Sequence, residues 1–447
     1  MSDLHMSNNR VVRTGVLCLL YFAQGVPYGF VITALLGVLS EAGHAKSDTK
    51  SLVALAVLPW AFKFLWAPLV DSFRAPSYGL RRPWIIAALL GMAMTLLAVW
   101  FSGRLEETST LTFLGWVFFA HNCFAALQDV ATDALAVDLL DDSERGRVNG
   151  LMWGSKLFGT AVGGSGMAFV IDGSNIATAV LVQAIIVVSV LCVVLLVLER
   201  PGEKRVPWSR GWSQAPAASA PGMSFGKTIS ELLRALSLRT TLLAALMACT
   251  VHLCEGLYIP LTAEVFVQEL KWTAKEFSAA DGTYGAIAQL IGAIGGGLLC
   301  DRFGCRPMAT IGIVLTSMTL LTFGWTAAQW GSESYPAVLL IPGFKGSLAL
   351  TTVSLFSLYM KISWTSAAAS QFTFYMTLSN MGRYTGTQLN GLNSWLLTEA
   401  EMEAGQMVLS NGHSYLLAGA LALLPLFFLP WLRPGKVAER RARPLEA

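Results

Sequence analysis

Four ionisable side chains set in apolar surroundings are the part of this sequence best equipped for chemistry. Lys63 lies in "LPWAFKFLWAPLVD" (58–71), Asp129 and Asp133 in "LQDVATDALAVDLL" (127–140), and Lys156 in "GSKLFGTAVGG" (154–164). Lys63 stands eight residues before Asp71, Asp129 nine before Asp138, and Lys156 nine after Arg147. At a helical rise of about 1.5 Å per residue each lies roughly 12–14 Å from its polar anchor. Three charged groups on three helices thus share one depth, with Asp133 one turn from Asp129 on nearly the same face. Left unpaired in hydrocarbon, each would cost a few kcal/mol. Pairing Lys63 with Asp129 or Asp133 removes most of that cost. Such a cluster either pins its helices together or lines a cavity where it holds an anion or relays protons.

Further candidates lie elsewhere. "VHLCEGLYIP" sets His252 three residues before Glu255, roughly on one helical face, and Glu255 is the best-placed acid of the second half. Lys345 in "IPGFKGSLAL" and Arg383 in "LSNMGRYTG" are cations suited to a carboxylate-rich solute, Arg383 by a two-pronged contact. Gln24 and Tyr28, and Gln371 and Tyr375, form polar stripes that bind either solute or a neighbouring helix. His121, two turns before Asp129, reads as a satisfied buried histidine in preference to a relay.

The elements that must position these groups are membrane spans. Of 447 residues 54% are hydrophobic and only 13% charged, with a mean hydropathy of +0.56. A soluble domain carries roughly a quarter charged residues, which excludes that class. Apolar runs of bilayer-crossing length recur near 14–40, 49–70, 83–102, 111–137, 147–170, 175–198, 240–262, 277–300, 307–327, 336–360, 366–396 and 412–432. The first is read as a retained span, since it lacks a small-x-small cleavage pattern. The seven cysteines lie in or beside these runs, without a C-x-x-C pair, and are read as small buried hydrophobes in preference to disulfides or metal ligands. A net charge of +3 with no basic stripe excludes nucleic acid as partner.

The expected fold is therefore an all-α membrane protein of twelve transmembrane helices in two six-helix bundles. The bundles occupy 1–198 and 239–433. Residues 199–238 form a linker ending in an amphipathic surface helix, "ISELLRALSLR", and 434–447 form a tail. The N-terminus, even-numbered loops, linker and tail hold 22 of the 31 lysines and arginines, against 5 in the odd-numbered loops. Basic residues stay on the cytoplasmic side, so both termini are expected there. "LVDSFRAPSYGLRRP" after the second span is echoed by "LLCDRFGCRP" after the eighth, the mark of an internal repeat.

Those paired loops, with "LYFAQGVPYGF", "LPWAFKFLWAPLVD", "LQDVATDALAVDLL" and "ERGRVNG", resemble the major facilitator superfamily. The nearest branch contains AmpG-type muropeptide permeases, siderophore importers and acetyl-CoA transporters, with the siderophore importers closest in wording. The resemblance implies alternating access, with spans five and eight, and two and eleven, packing between the halves. Ser155, Gly159 and Gly163 on span five and Ala288, Gly292 and Gly296 on span eight are spaced for such close approach. It also implies a cytoplasmic gate: Asp71 with Arg81 and Arg82, Asp301 with Arg302 and Arg306, and Glu144 with Arg145.

The expected function is secondary active transport of a polar, anionic organic solute such as a siderophore, muropeptide or CoA thioester. Proton-coupled import is the expected mode, and an exporter of the same fold is the alternative. The expected partners are the lipid bilayer, a small solute and protons. The protein is expected to act as a monomer in a bacterial inner membrane, with no cofactor or metal. A membrane-embedded acyl transferase or hydrolase is the rival from another class, but neither H-E-x-x-H nor G-x-S-x-G is present.

Overall fold

The computed structural model describes residues 5–41, 46–73, 75, 77–102, 110–205, 208–209, 224–273, 276–277, 280–326, 335–363, 368–396 and 407–432. The tail and linker residues 206–207 and 210–223 lie outside them. Twelve helical spans cover 10–41, 46–72, 82–102, 110–139, 145–173, 176–196, 239–269, 280–303, 305–326, 335–362, 368–396 and 407–431. Among the described residues ten helices are long and apolar enough to cross a membrane. The fifth and eleventh fall below that mark because Gly, Ser, Thr and Asn dilute their apolar content. Those small residues serve packing between helices. Leu90, Met94, Phe101, Ile185 and Ile291 project from the outside of the spans, where acyl chains replace a protein core. Trp325 and Trp431 are exposed near span ends, as in an interfacial aromatic belt.

Several spans are broken where the site residues sit. The second span stops as an α-helix at Ala61, makes a 3-10 turn over Lys63–Leu65, and resumes at Trp66–Ser72. Two prolines cause this. Pro59 has no N–H for the Leu55 carbonyl and Pro68 none for Phe64, so the segment between them leaves the regular ladder. The seventh span breaks at His252 (φ −104°, ψ 8°), between Arg239–Val251 and Leu253–Glu264. Wider turns of π type occupy Phe30–Ala34, Val162–Gly166, Val265–Glu269 and Ala280–Gly285. Such turns gather at functional positions.

The chain divides into two compact units. One comprises Met1–Asp141, Leu151–Leu233 and Thr365–Thr373; the other comprises Asp142–Gly150, Arg234–Trp364 and Phe374–Ala447. Each unit therefore takes in the opening turns of one span from the opposite sequence half, which a single cut in the linker does not anticipate.

The small-residue stripes pack differently from expectation. Gly159 and Gly163 lie against span one, and a methyl on Gly163 would fall 1.8 Å from the Val26 carbonyl oxygen. Gly292 and Gly296 lie against Gly346 and Leu350 of span ten, where Gly346 also meets Ala288. Spans five and eight do touch, one face further round: Gly150 meets the Ala293 carbonyl, and Gly297 meets that of Gly146. Spacing located the small residues without locating their partners, because a helix rich in glycine has more than one approachable face.

The cysteine reading also needs correction. Cys300 and Cys305 form a disulfide across the corner between spans eight and nine, with Cα atoms 4.4 Å apart. Gly304, at φ +93°, turns the chain tightly enough to bring them together.

Candidate functional site

In the first unit the broken second span carries Lys63 onto the fourth. The Lys63 Nζ lies 3.0 Å from Asp129 Oδ2, both side chains 1% exposed. Lys156 Nζ approaches the other oxygen of Asp129 at 4.0 Å. Asp133 accepts a short hydrogen bond from the Tyr21 hydroxyl. Its second oxygen is buried with no hydrogen-bonding partner among the described residues. The predicted convergence of Lys63, Asp129, Asp133 and Lys156 is therefore present, and Lys63 pairs with Asp129.

Around these charges sits a shell that the sequence reading passed over. Lys156 Nζ lies 4.6 Å from the centre of the Trp60 ring and 5.7 Å from those of Tyr21 and Trp153. Rings at this range stabilise an ammonium by about 0.5–2 kcal/mol. Trp60 is itself fixed by its indole N–H on Asn122 Oδ1 at 2.7 Å. Gln24 donates to Gln128 Oε1 at 2.6 Å, and Gln128 donates to Thr132 at 3.1 Å. Gln24 thus joins the network, whereas Tyr28 is half-buried and makes no hydrogen bond to it among the described residues. His121 pairs through Nδ1 with the Thr95 hydroxyl at 2.9 Å, but its Nε2 is buried with no hydrogen-bonding partner among the described residues, so the expected satisfied histidine is satisfied on one side only. The missed signals were Tyr21, three residues before Gln24, and Gln128, beside Asp129. Aromatic residues are too common in spans to mark Trp60 and Trp153 in advance.

The second unit holds a smaller cluster. Glu255 opens the helical segment after the break at His252, where a helix N-terminus favours an acid. One oxygen, Glu255 Oε2, lies 2.8 Å from both His252 Nδ1 and Arg383 Nε. Spans seven and eleven come this close because both are glycine-lined there: a methyl on Gly256 would lie 2.0 Å from the Arg383 carbonyl oxygen. Lys345 is bound separately, to Asp281 Oδ2 at 2.7 Å and the Asp281 carbonyl at 3.1 Å. Asp281, in the π turn of span eight, was not foreseen. Tyr375 is buried with its ring 5.1 Å from that of Tyr359, and Gln371 is also buried.

The loop charges form two groups of contacts. Asp71 bridges to Arg81 at 2.9 Å, and its other oxygen accepts from the Ser370 backbone N–H and hydroxyl at 2.9 and 2.7 Å. Arg81 also holds Asp138 at 2.8 Å. Burial of that guanidinium favours proton loss, but Asp138 and Asp71 outweigh it and keep the pKa above its ordinary value. Arg82 instead donates to carbonyls, including Val194 and Leu195 at 2.9 and 2.8 Å. In the second unit Asp301 accepts from the backbone N–H groups of Gly146 and Arg147, both at 2.8 Å, at the start of span five. This differs from the expected grouping with Arg302 and Arg306. Arg302 stacks over Phe303, and Arg306 donates to the Pro430 carbonyl. Arg145 bridges to Asp142 at 2.8 Å and Glu144 faces Arg147 at 3.9 Å. A helix start offers Asp301 several unsatisfied donors at once, which outcompetes a flexible exposed arginine.

Twelve helical spans with buried charges inside them, among the described residues, are the arrangement of a membrane transporter fold. The family model of the Major Facilitator Superfamily matches residues 17–387, and the chain belongs to that superfamily. Its relatives include AmpG-type permeases. The anhydromuropeptide permease of Escherichia coli (strain K12) is 23% identical over 384 residues, covering 86% of this chain and 74% of the relative. The putative transporter AmpG 4 of Rickettsia felis is 24% identical over 425 residues, covering 93% and 95%. Among solved structures, a bacterial homologue of the iron transporter ferroportin superposes with a TM-score of 0.68 at 13% identity, covering 93% of this chain and 99% of that one. The transporter FucP superposes with a TM-score of 0.66 at 16% identity, covering 95% and 99%. The likenesses to solved structures establish the twelve-helix fold, and the two relatives named are permeases or transporters, not enzymes.

Proposed function

We propose that this transporter imports a polar, carboxylate-bearing solute of the anhydromuropeptide kind together with protons. The observation that carries the reading is the buried Lys63–Asp129–Lys156 network with Asp133 one turn away. Two cations among polar side chains suit an anionic solute. Asp133 is the proposed proton carrier, since its unpartnered oxygen leaves room for a proton. The name of the Escherichia coli relative moves muropeptides ahead of siderophores and CoA thioesters. We further propose an inner-membrane monomer with both termini cytoplasmic, as the distribution of basic residues suggests.

The test is uptake of labelled anhydromuropeptide into proteoliposomes under an imposed proton gradient, beside a ferric siderophore and acetyl-CoA. Accumulation of chemically unchanged anhydromuropeptide, driven by the gradient, is expected. Asp133→Asn should retain exchange of solute across the membrane but lose gradient-driven accumulation. Wild-type uptake indifferent to the gradient would remove proton coupling from the reading, and gradient-driven efflux would make the protein an exporter.

A further inference from the structure

The two cation clusters are copies of one element. A methyl on Gly25 would lie 2.2 Å from the Lys156 carbonyl oxygen and 2.8 Å from Thr160 N; one on Gly256 would lie 2.0 Å from the Arg383 carbonyl oxygen and 2.7 Å from Thr387 N. Three residues further along, a methyl on Gly159 would lie 2.4 Å from the Phe22 carbonyl oxygen and 3.2 Å from the Gly25 Cα. One on Gly386 would lie 2.1 Å from the Leu253 carbonyl oxygen and 3.1 Å from the Gly256 Cα. The threonine four residues after each cation donates back to that cation's carbonyl, Thr160 to Lys156 at 3.0 Å and Thr387 to Arg383 at 3.2 Å. The repeat therefore superposes Lys156 on Arg383, Gly25 on Gly256, Gln24 on Glu255 and Tyr21 on His252.

Conserving a cation on a glycine-packed helix pair does not require conserving its counter-ion. In the first copy the carboxylate comes from span four, as Asp129, and position 24 is a glutamine that donates to Gln128 instead. In the second copy the carboxylate sits at the equivalent position itself, as Glu255. The counter-ions differ in origin while the cations keep their place. Each cation is also the most exposed member of its ionic contact: Lys156 is 18% exposed against 1% for Asp129, and Arg383 37% against 14% for Glu255. A buried acid holding a more accessible cation is an arrangement in which a second anion can compete for the cation. Arg383 offers a planar fork and Lys156 a point charge.

From this we infer that Lys156 and Arg383 are repeat-related carboxylate ligands, each within its own unit and each able to exchange its own acid for a carboxylate of the transported solute. The inference deepens the transport reading above and rests on it. Asp129 and Glu255 hold the cations in place while the site is empty. Lys63, buried on Asp129, then keeps that acid compensated when Lys156 turns to the solute.

The test is isothermal titration of the detergent-purified protein with an anhydromuropeptide and with its carboxyl-amidated analogue. A ferric carboxylate siderophore and acetyl-CoA are run beside them. Wild type should prefer the free acid. Lys156→Gln and Arg383→Gln should each cut that preference about tenfold or more, the range expected for losing a charged hydrogen bond. Affinity for the amidated form should stay near wild type. Lys156→Arg and Arg383→Lys should keep the preference, and they carry the test if a glutamine variant fails to fold: their loss of preference would overturn the inference. Equal weakening of both forms by the glutamine variants would mean a structural role and also overturn it. If a siderophore or acetyl-CoA binds and the muropeptide does not, the muropeptide reading fails, while the cation assignment is judged on the ligand that binds. If none of the panel binds, both fall.

Discussion

Lys63 and Asp129 are both buried to 1% exposure at a contact of 3.0 Å, so neither has water to fall back on. Removing one partner of a buried ion pair costs about 3–5 kcal/mol, chiefly through the charge left behind. Lys63→Ala is therefore expected to lower the thermal midpoint of the purified protein sharply. Adding Asp129→Asn should recover a large part of the loss, because no lone carboxylate remains. A double variant as unstable as the sum of the two singles would show that the pair is not energetically coupled. The depth of Lys63, Asp129 and Lys156 was legible from residue counts alone. The choice of Asp129 over Asp133 was not, because both lie on nearly one helical face. Tyr21 settled it by occupying Asp133.

At the scale of elements, glycines decide which helices touch. A methyl at Gly163 would lie 1.8 Å from a carbonyl oxygen of span one, whereas one at Gly295 would meet nothing within 4 Å. Gly163→Ala is expected to disrupt the packing of spans one and five and abolish transport in the uptake assay. Gly295→Ala should fold normally and melt no lower than wild type, since alanine is favoured over glycine within a helix by roughly 0.5–1 kcal/mol. Similar losses from both substitutions would contradict this packing. Span positions were readable from hydropathy because a bilayer demands about 20 apolar residues per crossing. The breaks were less so. Pro59 and Pro68 were visible, but the 3-10 turn they impose on Lys63–Leu65 follows from their joint effect on one ladder.

At the scale of the whole molecule, a buried acidic knot gathers distant parts of the first unit. Glu199 accepts backbone hydrogen bonds from Leu80, Arg81 and Arg82, while Glu203 accepts one from Glu199 N at 3.0 Å. Met6 and Ser7 bond back to the carbonyls of Leu198 and Glu199. Burial first, and then the neighbouring Glu199, pushes the Glu203 carboxyl up to about 7. The folded protein thus binds a proton there that the unfolded chain, with an ordinary glutamate, has lost. Its contribution is complete below about pH 4.5 and is lost as pH rises through about 7, a change on the order of 3 kcal/mol. The difference in thermal midpoint between wild type and Glu203→Gln is therefore expected to widen against wild type from pH 5 to pH 8. A difference that stays constant with pH would show that Glu203 titrates normally.

The sequence by itself determined that this is a twelve-span membrane transporter built on a repeat. It also placed buried ionisable residues at a common depth. Both rest on one-dimensional quantities, the length of apolar runs and the number of residues from a polar anchor, which a bilayer converts directly into position. Partner choice was decided only in three dimensions. Asp301 takes the backbone donors of span five instead of its neighbouring arginines, Glu255 is shared between His252 and Arg383, and Lys156 lies among Tyr21, Trp60 and Trp153. These outcomes depend on which of several equally spaced helix faces meet, and helical periodicity names a face without naming what lies opposite. The matched glycine contacts around Lys156 and Arg383 show the same limit, since the two copies share few side chains while their backbones approach alike.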